Sequence, residues 1–387
     1  MLITRLKLKN WRNFKKVDVN LRDRVYVIGP NASGKSNLLD VLRFLRDVAK
    51  PEGGGLQKSV KDRGGITKLR CLLARKDPEI SIEVELSERA DEAPLWRYTL
   101  AFKSEGKGQQ RPLVSREKVE NLHTSKILLD RPNSDDIHDP ERLTQTHLEQ
   151  INTNRAFREV ADFFSSVTYL HLVPQLLKHA EELGGYRMEN DPFGQAFLER
   201  IAKTPEKTSH ARLLKIEAVL RVCVPNMRNL RFVRDEVTGT PHLEALYEHW
   251  RPDAGWQRED QFSDGTLRLL GIMWSLLEGN SLLLLEEPEL SLNEDIVRQI
   301  HKLIWRMQRQ AKYRRQIFIT THSEALLEDR SIDPREVVRL ETTKDGTTVV
   351  EATEEEKKMI AAGYTIAEAL LPKVKPAQAE QLSLFRA

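Results

Sequence analysis

A glycine-rich stretch near the start of the chain ends in one lysine and one serine, a combination suited to binding phosphate. Residues 29–36 read Gly-Pro-Asn-Ala-Ser-Gly-Lys-Ser and satisfy the Walker A pattern Gly-x4-Gly-Lys-Ser. Glycines let successive backbone N–H groups turn towards phosphate oxygens. Lys35 would place its charge on the β- and γ-phosphates, and Ser36 would supply a hydroxyl to Mg²⁺. The alternative is a glycine-rich turn with an incidental lysine. The predicted nucleotide contacts are Asn31, Ala32, Ser33, Gly34, Lys35, Ser36 and Asn37.

Two glutamates that end a run of leucines form a second candidate group. Residues 282–285 are four leucines, and Glu286 and Glu287 follow them. Carboxylates at the end of a buried strand must be solvated or paired with a cation. We therefore expect Glu286 to hold Mg²⁺, directly or through water, and Glu287 to polarise an attacking water. Two surface glutamates that begin a loop are the alternative.

A histidine ends the next apolar run. Residues 316–321 read Gln-Ile-Phe-Ile-Thr-Thr, and His322 follows them. A histidine at the carboxyl end of a parallel strand is placed to contact the γ-phosphate and to sense its loss. A histidine with a purely structural role is the alternative.

The apolar patterns around these residues predict the scaffold that holds them. An apolar strand over residues 24–28 leads into the glycine-rich loop, and apolar residues at helical spacing follow it. The leucine run and residues 316–320 have the composition of strands buried on both faces, as in a parallel sheet. Runs between about 67 and 104 predict an antiparallel meander, and helix-prone sequence fills roughly 105–250. Strands that alternate with helices around a phosphate loop indicate an α/β fold.

Composition limits the classes of protein that remain. The chain has 387 residues, 40% of them hydrophobic and 31% charged, which is enough for a sizeable core. Its 61 Lys and Arg nearly balance its 58 Asp and Glu, which excludes a uniformly basic surface. Cys71 and Cys223 are too few for a disulfide framework. No apolar run approaches the ~20 residues of a membrane span. We expect a cytoplasmic protein without a membrane partner.

The order of the motifs resembles the ABC-type ATPase heads of the SMC, RecF and OLD (overcoming lysogenization defect) group. The segments that carry the resemblance are the Walker A loop, Phe-Ser-Asp-Gly-Thr at 262–266, Leu-Glu-Glu-Pro-Glu at 285–289 and Thr-His-Ser at 321–323. The similarity covers residues 1–60 and 255–345 and points to the stand-alone ATPases of bacterial defence and repair operons. It implies an α/β ABC-type head with a mixed or parallel core sheet, an antiparallel β subdomain and a helical lid insertion.

This interpretation divides the chain into four parts. Residues 1–115 would form an N-terminal ATPase lobe with the Walker A loop and the antiparallel β subdomain. Residues 116–250 would be a mostly helical insertion. Residues 251–350 would form a C-terminal ATPase lobe with the signature, the Walker B glutamates and the histidine. Residues 351–387 would be a helix, a linker and a tail.

The resemblance also implies how a second copy takes part. In such heads the serine and glycine of the signature reach the γ-phosphate held by the partner copy. Carried over, Ser263 and Gly265 act in trans, ATP joins two copies into a homodimer, and hydrolysis releases them. Lys35, Glu287 and His322 would be catalytic, with ATP and Mg²⁺ as ligands. Arg12, within Lys-Asn-Trp-Arg-Asn-Phe at 9–14, would lie beside the nucleotide.

Several positions depart from the family pattern. Glu286 stands where aspartate is usual, and residues 291–293 read Ser-Leu-Asn where relatives often have histidine and proline. Asp264 replaces the glycine of the transporter-type signature, which argues against a transporter motor. Gln57 and Gln175 are both candidates for the Q-loop glutamine. Gln175 is favoured as a metal ligand because a Q-loop should follow the antiparallel subdomain.

The end of the chain resembles a bacterial sliding-clamp-binding peptide. Residues 381–385 read Gln-Leu-Ser-Leu-Phe, after a proline-containing linker. The side chains of Leu382, Leu384 and Phe385 would fill an apolar pocket, and the Gln381 amide would fix the register. The alternative is that these residues fold back onto the ATPase core.

Partners are predicted from charge and length. Basic residues crowd the end of the helix after the Walker B glutamates: Arg306, Arg309, Lys312, Arg314 and Arg315. They either complement the helix C-terminus or bind the DNA backbone together with the basic first strand. The segment after His322 is too short for an appended nuclease domain, so we expect a separate effector chain, a nuclease or a toxin. Two functions remain: an ATP-switched regulator in phage defence or DNA repair, and a nucleotide-gated scaffold recruited to the clamp.

Overall fold

The computed structural model describes residues 1–74, 77–106, 110–179, 193–249, 251, 255–279, 281–310, 315–344 and 346–374. The strands, in chain order, are β1 (Leu2–Trp11), β2 (Phe14–Asn20), β3 (Arg24–Ile28), β4 (Ile80–Ser87), β5 (Trp96–Ser104), β6 (Pro112–Asn121), β7 (Lys126–Arg131), β8 (Thr168–Leu170), β9 (Met227–Arg234), β10 (Pro241–Tyr247), β11 (Trp256–Arg258), β12 (Leu283–Glu286), β13 (Ile317–Thr320), β14 (Val337–Thr343) and β15 (Gly346–Val350). The helices are α1 (Lys35–Ala49), α2 (Leu56–Asp62), α3 (Ile66–Leu69), α4 (Ser134–His138), α5 (Arg158–Ser165), α6 (Pro174–Lys178), α7 (Phe197–Ala202), α8 (Glu206–Cys223), α9 (Asp264–Leu277), α10 (Glu294–Gln310), α11 (Glu324–Leu327), α12 (Glu354–Ala361) and α13 (Ile366–Leu370).

The chain divides into two compact units. Unit 1 comprises Met1–Thr168 and Arg314–Ala387, and unit 2 comprises Tyr169–Tyr313. Unit 1 is therefore built from both ends of the chain and contains the Walker A loop and His322. Unit 2 is the middle of the chain and contains the signature and the Walker B glutamates.

Unit 1 is organised on a mixed sheet. Its strands follow the order β7-β6-β5-β4-β1-β2-β15-β14-β3-β13. Neighbouring strands from β7 to β2 are antiparallel. β15 is parallel to β2 and antiparallel to β14, while β3 is parallel to both β14 and β13. The expected meander over about 67–104 is thus present in β4 and β5 and extends through β6 and β7.

Helix α1 follows the Walker A loop and is a core element of unit 1. Its apolar residues recur every three to four positions and are buried, among them Leu38, Leu42 and Leu45. Phe44 packs against Trp11 of β1 with ring centroids 5.1 Å apart and stacks on Phe102 of β5 at 5.5 Å. These contacts hold the second half of α1 against the sheet, because protein interiors are closely packed.

Unit 2 contains a small antiparallel sheet and a buried helix. The small sheet has the order β11-β10-β9, and α8 packs against β9. In α9, every residue from 266 to 275 is buried. Trp274 of this helix makes an edge contact with Phe197 at 6.4 Å, and the Arg212 guanidinium lies 5.2 Å from its ring centroid. β12 neighbours β8 and has three buried leucines before Glu286.

The expected mostly helical insertion over 116–250 needs correction. That range contains helices as expected, α4, α5, α6, α7 and α8, but also the end of β6 and all of β7, β8, β9 and β10. Charged residues alternate imperfectly with apolar ones in these strands except β8; in β9 only Met227 and Leu230 are buried. The apolar alternation that marks a strand is therefore diluted, and pairing with neighbouring strands decides the local structure.

The structure also shows the surroundings of the two cysteines. Cys71 is buried, Cys223 is half-buried, and both are free thiols. Among the residues that the structure describes, no helix combines the length and the apolar character needed to cross a membrane.

Candidate nucleotide-binding site

The Walker A loop joins the end of β3 to the start of α1 and contains two residues in the left-handed backbone region. Ala32 has φ 61° and Gly34 has φ 94°. The N–H of Ser33 donates to the carbonyl of Pro30 at 3.2 Å and closes a tight turn. A Cβ on Gly34 would lie 2.2 Å from the side-chain nitrogen of Asn13, so glycine is required. The loop leads into a 15-residue helix, and the N-terminal dipole of a helix attracts phosphate.

The side chain of Lys35, the first residue of α1, turns back into this loop. It is only 7% exposed, and its ammonium donates to the carbonyls of Gly29 at 3.1 Å and Pro30 at 3.2 Å. Ser36, the next residue, is exposed. An ammonium at the start of the helix after a glycine-rich loop is placed to bind phosphate oxygens, so the charge at this position fits a triphosphate. The exposed hydroxyl of Ser36 fits an oxygen ligand of Mg²⁺.

Asn13 connects the loop to the turn between β1 and β2. Its Nδ2 donates to the carbonyl of Ser33 at 2.8 Å and to Oγ1 of Thr347 at 2.7 Å. Its Oδ1 accepts a hydrogen bond from Nδ2 of Asn37 at 2.8 Å. One side chain therefore ties the Walker A loop, the first turn of α1 and β15 together.

Arg12 is held against α1 by an acidic side chain. Its Nε and Nη2 donate to Oδ2 of Asp40 at 3.0 and 2.7 Å. Arg63 donates to the same carboxylate, with Nε 3.0 Å from Oδ1. The structure therefore places Arg12 beside the second turn of α1, and its contact with a nucleotide stays a prediction.

His322 follows a strand that is paired directly with β3. Thr320 of β13 is the register partner of Val27, and the N–H of Thr321 donates to the carbonyl of Val27 at 3.2 Å. Both strands run parallel, so their carboxyl ends meet at one edge of the sheet. His322 is exposed at that edge, one strand away from the Walker A loop.

In unit 2, the Walker B glutamates end β12. The hydroxyl of Tyr169 donates a short hydrogen bond to Oε2 of Glu286. Tyr169 is 7% exposed, so its hydroxyl is held in place and orients the carboxylate. Glu287 has φ 43°, a left-handed conformation. A strained backbone at a non-glycine residue is most common at functional sites.

The signature begins α9, and its glycine is in close contact with the loop after the Walker B segment. Ser263 is the N-cap, with its Oγ accepting from the N–H of Thr266 at 3.2 Å. A Cβ on Gly265 would lie 2.6 Å from the carbonyl oxygen of Ser291. Ser263 and Gly265 line a cavity of about 340 Å³ together with Ser291 and Asn293. The exposed Ser263 and the helix N-terminus form a surface that can accept an anion.

The two Q-loop candidates have different surroundings. Gln57 donates through Nε2 to the carbonyls of Pro112 and Thr144, both at 2.7 Å. Gln175 donates through Nε2 to Oδ2 of Asp264 at 2.5 Å. The Gln57 amide therefore binds backbone carbonyls within unit 1, whereas the Gln175 amide contacts the signature.

Comparison with known proteins identifies the group to which this geometry belongs. Residues 25–328 match the family described as "AAA domain, putative AbiEii toxin, Type IV TA system". The chain belongs to this family. The match includes the Walker A loop, the signature, the Walker B glutamates and His322.

Curated relatives of this AAA-family chain are DNA replication and repair proteins named RecF. The RecF of Roseiflexus castenholzii is 33% identical over 100 residues, which is 24% of this chain and 25% of that protein. The RecF of Bacillus mycoides is 29% identical over 96 residues, 24% of this chain and 26% of that protein. The similarity therefore spans about a quarter of the length of these relatives.

Solved structures of SMC heads have the same fold. One, an SMC head bound to the C-terminal winged-helix domain of ScpA, has a TM-score of 0.57 at 14% identity and covers 92% of this chain and all of that one. An SMC head with an extended coiled coil, bound to a ScpA C-terminal domain derived from Pyrococcus furiosus, has a TM-score of 0.50 at 13% identity and covers 93% and 98%. The predicted α/β ABC-type head fold is confirmed.

Some predicted residues cannot be placed in this way. Residues 375–387 lie outside the described part of the chain, and with them the candidate clamp peptide of Gln381, Leu382, Leu384 and Phe385. Lys312 and Arg314 also lie outside it. Arg315 is 4% exposed, so the prediction that it belongs to a basic surface patch is wrong. Arg306 and Arg309 are exposed.

Three residues at the site had no role assigned from the sequence. Asn13 stands within the quoted segment at 9–14, but only its neighbour Arg12 was singled out there. Tyr169 and Lys178 have no local signal, because their partners are far away in the chain. A buried polar side chain needs a hydrogen-bond partner, but the sequence does not show which partner it finds.

Proposed function

We propose that this chain is an ATPase that binds ATP with Mg²⁺, dimerises on ATP and regulates a separate DNA-directed effector. The observation that carries the proposal is the buried Lys35 beneath a loop whose Ala32 and Gly34 adopt left-handed conformations. Family membership supports the same conclusion. The homodimer, the effector and the cellular role go beyond the family and are our inference.

Roles for the individual residues follow the motifs. Lys35 and the N–H groups of the loop bind the β- and γ-phosphates, while Ser36 and Glu286 would hold Mg²⁺. Bound Mg²⁺ would neutralise charge on the phosphate oxygens. Glu287 orients a water and takes its proton as the water oxygen bonds to the γ-phosphorus and the bond to ADP breaks. His322 contacts the γ-phosphate and registers its loss.

The second copy completes the reaction. Ser263 and the N-terminus of α9 from one copy would bind the γ-phosphate held by the other, with Gly265 allowing close approach. ATP then stabilises the dimer, and hydrolysis releases it. The relatives' names support an effector that acts on DNA: RecF proteins are named for DNA replication and repair, and the family description names a toxin–antitoxin system. A nuclease or toxin chain in phage defence or DNA repair fits both.

Turnover measured against protein concentration tests the proposal. We expect specific ATPase activity to rise with concentration as dimers form, and Lys35→Ala to abolish nucleotide binding. Glu287→Gln should bind ATP, accumulate as dimers and turn over at least about 100-fold more slowly, the order seen when a catalytic base is removed. Glu294→Gln, at an exposed position, is the matched control. Activity that is independent of concentration would contradict the dimer, and unchanged turnover in Glu287→Gln would contradict its role.

The second candidate is a nucleotide-gated scaffold recruited to the sliding clamp. The sequence Gln-Leu-Ser-Leu-Phe at 381–385 favours it. Deletion of the last seven residues should then abolish binding to a purified clamp and leave ATP turnover unchanged. Clamp binding that survives the deletion would exclude the peptide.

A further inference from the structure

Asp264 is an unexpected residue at the start of the signature helix. It is the first residue of α9, directly after the N-cap Ser263. A carboxylate in the first turn of a helix interacts favourably with the helix dipole, but it also repels any phosphate that approaches the same N-terminus. Under the proposed function, that phosphate belongs to the second copy. The charge of Asp264 must therefore be compensated before Ser263 can act in trans.

Two donors from one short helix contact this carboxylate, and Arg268 of α9 adds a favourable charge. Nζ of Lys178 donates to Oδ1 of Asp264 at 2.8 Å, and Nε2 of Gln175 donates to Oδ2 at 2.5 Å. Each oxygen of the carboxylate thus has its own donor, and both donors come from α6. The side chain of Lys178 is 17% exposed and that of Asp264 is 32% exposed. Partial burial reduces screening by solvent, so this ion pair is stronger than one on the open surface.

The same contacts fix the position of the signature. Asp264 is held from the side by α6, while Gly265 lies against the carbonyl of Ser291. Ser263 is the N-cap of the same helix, and its Oγ lies 2.7 Å from Oγ1 of Thr266. Only a hydroxyl that is already fixed in place can bind a phosphate without an ordering cost.

We propose that Lys178 and Gln175 are positioning residues for the signature. They neutralise and orient Asp264, so that Ser263 and the N-terminus of α9 can accept the triphosphate held by a second copy. This inference rests on the proposed ATP-dependent dimer. Both residues would act through Asp264 at the signature of their own chain and would not contact the nucleotide.

Self-association and nucleotide binding, measured separately, test the inference. In Lys178→Gln, Asp264 keeps its charge and loses the ammonium that donates to it at 2.8 Å, while the charge of Arg268 on the same helix remains. We expect ATP-dependent self-association, followed by analytical ultracentrifugation, to need at least about tenfold more protein and kcat to fall by a similar factor. Binding of a fluorescent ATP analogue to the single chain should be unchanged, since Walker A is intact. Lys215→Gln, an exposed lysine of the same unit, is the control and should behave as wild type.

A second variant separates charge from folding. Lys178→Gln combined with Asp264→Asn removes the carboxylate that has lost its ammonium partner and should recover most of the lost self-association. Mixing Lys178→Gln with Lys35→Ala should also restore turnover, because one composite site then joins an intact Walker A loop to an intact signature.

The outcomes are distinct. If Lys178→Gln self-associates at the same concentration as wild type, or if the double variant is as impaired as the single one, the inference is overturned. If the wild-type chain itself never self-associates with ATP, the proposed function falls and this inference falls with it.

Discussion

The side-chain amide of Asn13 donates to the backbone carbonyl of Ser33 at 2.8 Å and holds the Walker A loop from outside. The contact joins the turn between β1 and β2 to a loop 20 residues later. Gly34 lies directly over the same amide, where a Cβ would be 2.2 Å from the nitrogen. The shape of the phosphate loop thus depends on a residue outside the Walker A motif.

Replacing Asn13 with alanine should weaken nucleotide binding. The variant loses hydrogen bonds to Ser33, Thr347 and Asn37, each contributing about 1 kcal/mol. A loop that must be ordered on binding has lower affinity, so we expect the Kd for ATP to rise at least about tenfold. Equilibrium binding of a fluorescent ATP analogue measures this. Asn20→Ala, at an exposed position at the end of β2, should leave the Kd unchanged; an equal effect of both variants would refute the prediction.

Gly265→Ala should impair self-association although alanine favours helices. On an exposed helix this substitution would stabilise by about 1 kcal/mol. Here the new Cβ would meet the carbonyl oxygen of Ser291 at 2.6 Å, so the loop after the Walker B segment must move. We expect ATP binding to be retained and ATP-dependent dimerisation, followed by light scattering, to weaken.

Gly271→Ala on the same helix is the matched control for that variant. Its Cβ would lie 3.1 Å from a terminal methyl of Leu172, a flexible neighbour that can give way. Dimerisation that is weakened equally by both substitutions would show that the contact with Ser291 is not the cause.

The two glutamine candidates can be told apart by stability and turnover. Gln57→Ala leaves the carbonyls of Pro112 and Thr144 without their donor, so we expect a loss of about 1–3 kcal/mol in the free energy of unfolding. Turnover of the folded protein should be unchanged. Gln175→Ala should lower turnover and leave the free energy of unfolding unchanged, since the amide of Gln175 contacts Asp264 at the signature. Urea denaturation and steady-state ATPase assays on both variants check this; a large loss of turnover in folded Gln57→Ala would restore it as the Q-loop candidate.

Acid should weaken a buried ion pair in unit 1. Arg131 and Asp136 have no exposed side-chain surface, and their closest N···O distance is 2.8 Å. Burial alone would raise the pKa of Asp136. Hydrogen bonds from Arg131 and from the N–H of Asn133 outweigh this effect and lower the pKa to about 2. In the unfolded chain an aspartate has a pKa near 3.9. Ionised Asp136 therefore stabilises the fold by about 2–3 kcal/mol above pH ~4, and this is lost as the pH falls towards 2.

Asp136→Asn measures this contribution. The difference in unfolding free energy between wild type and variant should be largest near pH 6 and should shrink as the pH approaches 2. Urea denaturation at several pH values gives the difference directly. Asp135→Asn, at an exposed neighbouring position, is the control. A difference that does not change with pH would mean that Asp136 contributes through packing rather than charge.

Several parts of the molecule could be predicted because their cause is local. The loop at 29–36 needs glycine at position 34, where φ is positive and a Cβ would meet Asn13, and the spacing of Gly34, Lys35 and Ser36 follows from the turn that enters α1. The leucines before Glu286 indicate a strand buried on both faces, and they are buried in β12. The strands β6, β7, β9 and β10 were missed, because their charged residues obscure the apolar alternation.

The sequence by itself determined the phosphate loop and the buried strands that end in polar residues, since each depends on residues close together in the chain. The order of its motifs predicted the ABC-type α/β fold through a family resemblance. Only the tertiary structure decided that Asn13 holds the carbonyl of Ser33, that Tyr169 orients Glu286 and that Lys178 pairs with Asp264. These partners are 20, 117 and 86 residues apart. The choice of partner for a buried polar group depends on which elements pack against each other, and packing is a property of the whole fold.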